Sequence, residues 1–248
     1  MLKVRLIPVM TFNGISLVKT KQFERARTVG NPIQVARVYN NRNVDELVFI
    51  DIMATNQGRK INLPLVKKVI DECFMPVTIG GGIRSFDDIN DLLGIGADKV
   101  LVKSIALKDP GFIAKAVDYF GSQCISIAVD VIIKDGEYWI HQKNDEKVLM
   151  KTFIEKMHQC NVGEFVVNSV DCDGMMNGFD KVLYQNVSRI TSKPIVALGG
   201  AGIPSHFTEL VQANYKGALA AASIYHFTQF TPQEVKKTLM RANIPVRI

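Results

Sequence analysis

Pro76-Val77-Thr78-Ile79-Gly80-Gly81-Gly82-Ile83, followed by Ser85-Phe86-Asp87, recurs as Pro194-Ile195-Val196-Ala197-Leu198-Gly199-Gly200-Ala201-Gly202-Ile203, followed by Ser205-His206-Phe207. Each copy is a short, β-branched apolar run closed by paired glycines, the pattern of a buried strand that ends in a tight loop. The repeat extends outward in both directions. Glu46-Leu47-Val48-Phe49-Ile50-Asp51 echoes Glu164-Phe165-Val166-Val167-Asn168-Ser169, and Val102-Lys103-Ser104 echoes Ala221-Ala222-Ser223. Carried to the chain start at the same offset, Ile7-Pro8-Val9-Met10-Thr11 falls over Ser126-Ile127-Ala128-Val129-Asp130, so one half holds an acid where the other holds a threonine.

Short apolar runs alternate with longer helical patterns, which predicts βα units around a parallel sheet. Strands are placed near residues 3–9, 46–52, 77–79, 99–102, 124–129, 164–168, 195–197 and 218–221. Eight such strands make one closed (β/α)8 TIM barrel, a single domain over residues 1–248 with half-barrels of about 1–120 and 121–248. Helices are read at Ile33–Asn40 and at Ser85–Leu93, the latter beginning at a serine with Asp87 and Asp88 in its first turn and stopped by Gly94 and Gly96. Lys134-Asp135-Gly136 reads as the turn of a β-hairpin inserted after the fifth barrel strand.

In such barrels the loops after the strands build the active face, so residues at strand C-terminal ends receive a functional reading. Gly81 and Gly82 are matched by Ser104 after the next strand, and Gly199 and Gly200 by Ser223. Glycines let backbone N–H groups approach an anion, and a helix starting there adds a favourable dipole. Two such cradles suit a ligand with a phosphate at each end, with Lys103 as a cation beside the first. His226 and His206 are read as structural and His158 as solvated.

The 248 residues are 47% hydrophobic and 22% charged, with a net charge of +6. Lysines and arginines are spread without a basic stripe, which favours an anionic small molecule over nucleic acid. No apolar run approaches a membrane span, and the charged start Met1-Leu2-Lys3-Val4-Arg5-Leu6 reads as a first strand rather than a signal, so a cytoplasmic protein is expected. Cys73, Cys124, Cys160 and Cys172 show no metal-ligand spacing, and neither metal nor cofactor is expected.

The motifs Asp45-Glu46-Leu47-Val48-Phe49-Ile50-Asp51, Gly80-Gly81-Gly82-Ile83-Arg84-Ser85, Gly96-Ala97-Asp98-Lys99-Val100, Phe120-Gly121-Ser122-Gln123-Cys124 and Asp171-Cys172-Asp173-Gly174 together resemble HisF, the cyclase subunit of imidazole glycerol phosphate synthase. The resemblance runs from Arg5-Leu6-Ile7-Pro8 to Ile244-Pro245-Val246-Arg247. It implies an acid–base pair of aspartates after the first and fifth barrel strands. Asp130 matches one, Thr11 stands at the other, and Lys19 is retained nearby. It also implies ammonia drawn from a HisH-like glutaminase through a gate of Arg5, Glu46, Lys99 and Glu164, with Asp98 and Gln123 facing that partner. Asp51, Asp171, Asp173 and Gly174 face the substrate, and a repositioned Asp51 would be one replacement for the missing acid.

Asn13-Gly14, Leu17-Val18-Lys19-Thr20 and Val29-Gly30-Asn31-Pro32-Ile33 are similar to an offshoot of this family found with bacterial surface-polysaccharide genes. That likeness implies an ammonia-conducting subunit serving a separate sugar amidotransferase, which forms an acetamidino group on a nucleotide-linked sugar. The other expectation is a working cyclase, a lyase of histidine biosynthesis.

Overall fold

A computed structural model of the chain describes residues 3–142 and 147–247. The first quarter forms β1 (Leu6–Phe12), β2 (Leu17–Lys19), β3 (Arg27–Gly30), α1 (Pro32–Asn41) and β4 (Leu47–Asp51). Next come α2 (Leu63–Ile70), β5 (Val77–Gly80), α3 (Phe86–Gly94), β6 (Lys99–Val102), α4 (Ser104–Lys108) and α5 (Pro110–Phe120). The second half holds β7 (Ile125–Lys134), β8 (Glu137–Ile140), α6 (Met150–Gln159), β9 (Glu164–Ser169) and α7 (Lys181–Ile190). It ends with β10 (Ile195–Leu198), α8 (Pro204–Gln212), β11 (Ala218–Ala221), α9 (Ser223–Phe227) and α10 (Pro232–Arg241).

Eight of these strands pair in parallel in the order β1, β4, β5, β6, β7, β9, β10, β11, and β11 returns to β1. The chain thus closes as a (β/α)8 barrel, as its alternating pattern predicts. The registers of its two halves coincide: Thr11 pairs with Ile50, and Asp130 with Asn168, the residues that the sequence repeat superimposes.

Two strands run longer than their sequence reading. β1 continues past Val9 to Phe12 and folds back as an antiparallel hairpin with β2, which in turn pairs with β3. This extension is absent from the expected eight-strand pattern, because β2 and β3 are only three and four residues long. β7 continues to Lys134 and pairs with β8 through Asp135 and Gly136, whose φ values of 51° and 78° fit the expected Asp-Gly hairpin turn. Of the charged start, Met1 and Leu2 lie outside the described residues, and Val4 bridges to Val246.

Side-chain alternation divides the core. Leu6, Met10 and Phe12 of β1 face outward into the large cluster between wall and helices, while Ile7 and Val9 face the lumen. The lumen is filled by Val48, Leu101, Val166, Val196, Leu198 and the small residues Ala218, Ala220 and Ala222. Helix α3 starts one residue after the expected serine: Ser85 is its N-cap, and its hydroxyl and the Asp88 carboxylate exchange bonds with each other's backbone N–H. Gly94 stays within the helix, and the reversal comes at Gly96, with φ +108°.

A buried ion pair fastens the last helix to the barrel floor. Lys236 Nζ lies 2.9 Å from Asp45 Oδ1 and 2.7 Å from the Asn43 carbonyl, while Asp45 Oδ2 accepts from Leu6 N at 2.7 Å. Both side chains are almost wholly out of water, so removing the cation strands a buried carboxylate. Lys236→Met is expected to destabilise the fold by about 3–5 kcal/mol in urea unfolding; a loss under about 1 kcal/mol would contradict this.

Candidate functional site

The C-terminal ends of the barrel strands carry a layer of residues that points into the lumen. Val9, Val48 and Val166 line the lumen, with Ala128 packed against them, and the residues two positions on, Thr11, Ile50, Asn168 and Asp130, share their direction. Thr11 therefore sits where its sequence repeat places it, opposite the lumen from Asp130. Its hydroxyl donates to the carbonyl of Val18 on β2, so it serves the hairpin. A threonine hydroxyl does not act as a carboxylate base near neutral pH.

Asp130 is held by Lys103. The ammonium lies 2.6 Å from Asp130 Oδ2 and 2.8 Å from the carbonyl of His141, which the β7–β8 hairpin brings over the site. Lys103 was expected beside the first glycine cradle. The structure instead places its ammonium on the remaining acid, because β6 and β7 are neighbours in the barrel wall. A second pair, Lys19 with Asp173 at 2.6 and 2.7 Å, is buried nearby. Burial raises the Asp173 pKa, against the opposing pull of Lys19, and the charge of Asp130 adds to the rise.

Lys19, Asp173, Gly174, Gly199, Gly200 and Ser223 line one small pocket, so six of the sequence-derived candidates converge. Ser223 Oγ is buried there without a hydrogen-bond partner among the described residues. The half-site beside Gly81 and Gly82 is different. Its cavity is lined by Lys60, Asp88, Asp91 and apolar residues, and neither Lys103 nor Ser104 borders it. Gly81 is also demanded by packing: at φ +108°, a Cβ would lie 2.2 Å from the Asp51 carbonyl oxygen.

Asp51 is fully engaged. Its carboxylate accepts from Met53 N and Ala54 N at 3.1 and 3.0 Å and is clamped by both Arg59 Nη atoms at 2.6 and 2.9 Å. This arrangement leaves it unsuited to replace a missing base. Arg59 escaped the sequence reading, since only the fold of the loop after β4 reveals its partner. Asp171 accepts from Ile133 N at 2.8 Å and so anchors the β7–β8 hairpin.

At the opposite mouth, Arg5, Glu46, Lys99 and Glu164 form a closed ring in which each carboxylate touches both cations. Lys99 Nζ lies 3.0 Å from Glu46 and 2.8 Å from Glu164, and Arg5 lies 3.1 Å from Glu164 and also pairs with Glu46. Burial alone would raise the Glu164 pKa, but Lys99 and Arg5 outweigh it and hold the carboxyl below its usual range. Asp98 and Gln123 are exposed just before the strands that open at this mouth.

Three histidines make contacts within the fold, and one of them differs from the expectation. His206 Nδ1 faces Gly202 N at 3.2 Å, ahead of α8. His158, expected in solvent, is half-buried, with Nδ1 2.8 Å from Thr191 Oγ1, because α6 packs against α7. His226 sits between Tyr39 and the Val9 carbonyl, and burial pulls its pKa down to about 4.

The closed parallel barrel makes this a (β/α)8 protein. Its family is equally plain. The chain belongs to the family described as "Histidine biosynthesis protein", whose profile matches residues 5–231. It is similar to the imidazole glycerol phosphate synthase subunit HisF of Clostridium botulinum, with 37% identity over 255 residues covering 98% of each chain. The same-named subunit of an Exiguobacterium species is 38% identical, covering 100% of this chain and 97% of that one. That of Staphylococcus saprophyticus is 37% identical over the full length of both.

Because His226 is depressed in the fold and free at about 6.5 in the unfolded chain, the unfolded state binds more protons below that value. Its contribution is therefore present above pH 6.5 and is lost as pH falls toward 4. Urea unfolding at pH 7 and pH 5 is expected to show lower stability at pH 5, with the difference reduced in His226→Gln. An unchanged difference in the variant would contradict the assignment.

Proposed function

We propose that this chain is the ammonia-accepting subunit of a glutamine amidotransferase of the imidazole glycerol phosphate synthase type. The observation that carries the reading is what lies along the barrel axis: a ring of four alternating charges, a lumen lined mainly by apolar side chains, and the Asp130–Lys103 pair at its far end. Neutral ammonia tolerates an apolar lumen, whereas ammonium does not, so the lumen selects the nucleophilic form. A HisH-like glutaminase docks on the ring mouth, against Asp98 and Gln123. The cavity of Lys19, Gly199, Gly200 and Ser223 holds one phosphate of the ligand, with the unpartnered Ser223 hydroxyl as donor. Gly81 and Gly82, with Lys60 as the cation lining the same cavity, are the candidate hold for the other.

The names of the relatives favour ring closure as the reaction, making this a cyclase subunit of histidine biosynthesis. In that reaction Asp130 takes a proton from the incoming nitrogen, while the hydrogen bond from Lys103 orients its carboxylate. A second reading is favoured by Thr11, whose neutral hydroxyl is tied to Val18 and leaves the site one acid short. There the ammonia passes onward to a separate sugar amidotransferase that builds an acetamidino group in surface-polysaccharide synthesis.

The purified chain, given ammonium and the open-chain aminoimidazole-carboxamide ribonucleotide precursor, distinguishes these by absorbance. Turnover by the wild type supports the cyclase. Stimulation of a HisH-like glutaminase without turnover supports the onward conduit, and neither result would overturn the proposal. In both cases Thr11→Asp is expected to raise ring closure about 10²-fold or more, by restoring a second acid–base group.

A further inference from the structure

Phe74, in the loop between α2 and β5, is 93% exposed, the most exposed large apolar side chain among the described residues. Single exposed apolar residues are common on proteins, and this one is set apart by how it is held and by where it stands. Its backbone N–H donates to Asn40 Oδ1 at 2.9 Å, and Cys73 N donates to the Ile70 carbonyl at 2.8 Å. On either side of it, Cys73 and Met75 pack against the core. With its backbone fixed from both flanks, the ring is held out in water instead of folding back.

The loop forms part of the rim of the charged mouth. Leu47, the residue after Glu46, donates its N–H to the Pro76 carbonyl at 2.9 Å. Strand β5 runs between β4 and β6, with Leu47 opposite Val77 and Lys99 opposite Thr78, so the segment that carries Phe74 enters the barrel between two members of the ring. The charges beside it are already paired within the chain: Arg37 holds Glu72 through Nε and Nη2 at 2.8 and 2.7 Å, and Lys67 pairs with Asp71. What this stretch of rim leaves to a partner is therefore an apolar contact within a neutralised polar border, the anatomy of an interface anchor.

We propose that Phe74 anchors the glutaminase over the ammonia-entry mouth by filling an apolar pocket on that partner. The inference rests on the reading of the ring mouth as the glutaminase dock and adds the residue that holds the partner there. A subunit that seals the ring must cover its rim, and an aromatic side chain buried at such a contact removes roughly 150–250 Å² from water. Because the loop is set before the partner arrives, little ordering cost is left for association.

In the test, the full-length chain is titrated with a HisH-like glutaminase by isothermal calorimetry. Phe74→Ser is expected to raise Kd roughly 30-fold, and Phe74→Asp further. Ile15→Ser, which removes an 88%-exposed apolar side chain from the opposite face, is expected to stay within about twofold of the wild type. Urea midpoints of all three variants should match the wild type, since neither side chain is packed; a lowered midpoint in Phe74→Ser would mark a folding role and overturn the inference. Wild-type binding that both Phe74 variants retain would remove the anchor and leave the dock standing. Absence of wild-type binding would remove the dock and the anchor together. Self-association of the wild type in analytical ultracentrifugation, lost in Phe74→Ser while glutaminase binding is kept, would assign the side chain to a second copy and contradict the proposal.

Discussion

The structure depends on one constraint, the parity of strands in a closed parallel barrel. Once β11 returns to β1, every second residue of each strand must face the lumen, and no edge remains along which a strand can slip. The same parity that buries Val9, Val48 and Val166 delivers Thr11, Asp130 and Asn168 to the active face. At the opposite mouth Arg5, Glu46, Lys99 and Glu164 meet in a ring, although they are up to 159 positions apart in the chain. Chemistry and packing are therefore set by a single geometric choice.

Electrostatics then distinguish this active face. A carboxylate at the end of a low-dielectric lumen is costly unless paired. Here each of two acids has its own lysine, Asp130 with Lys103 and Asp173 with Lys19. Thr11, at the position that the internal repeat matches to Asp130, carries no charge and adds none to these pairs. Among the described residues, Ser223 Oγ and Asn168 Oδ1 stay buried without a hydrogen-bond partner.

Much of this was legible in the sequence, for physical reasons. The β6 strand at Lys99–Val102 follows directly from its apolar run, and the convergence of Gly199, Gly200 and Ser223 follows from the repeat. The Asp-Gly turn after β7 is a local signal and survives folding intact. What stayed hidden depends on long side chains and loop paths. Lys103 swings onto Asp130 because its flexible stem reaches the neighbouring strand, and Arg59 finds Asp51 only after the loop turns back. Asn168 lies within a strand echo that the chain shows, but its lack of a partner is a three-dimensional fact.

On the proposed function, nitrogen travels inside the barrel, from the charged ring to the Asp130 layer. The direct measurement couples the chain to a HisH-like glutaminase supplied with amide-¹⁵N glutamine in excess unlabelled ammonium, below the pH at which free ammonia competes, and reads the isotope in the aminated product by mass spectrometry. The account predicts product enriched in ¹⁵N well above the bulk ammonium pool, with the enrichment lost in Lys99→Met, which opens the ring. Product that matches the bulk pool in the wild type would contradict it.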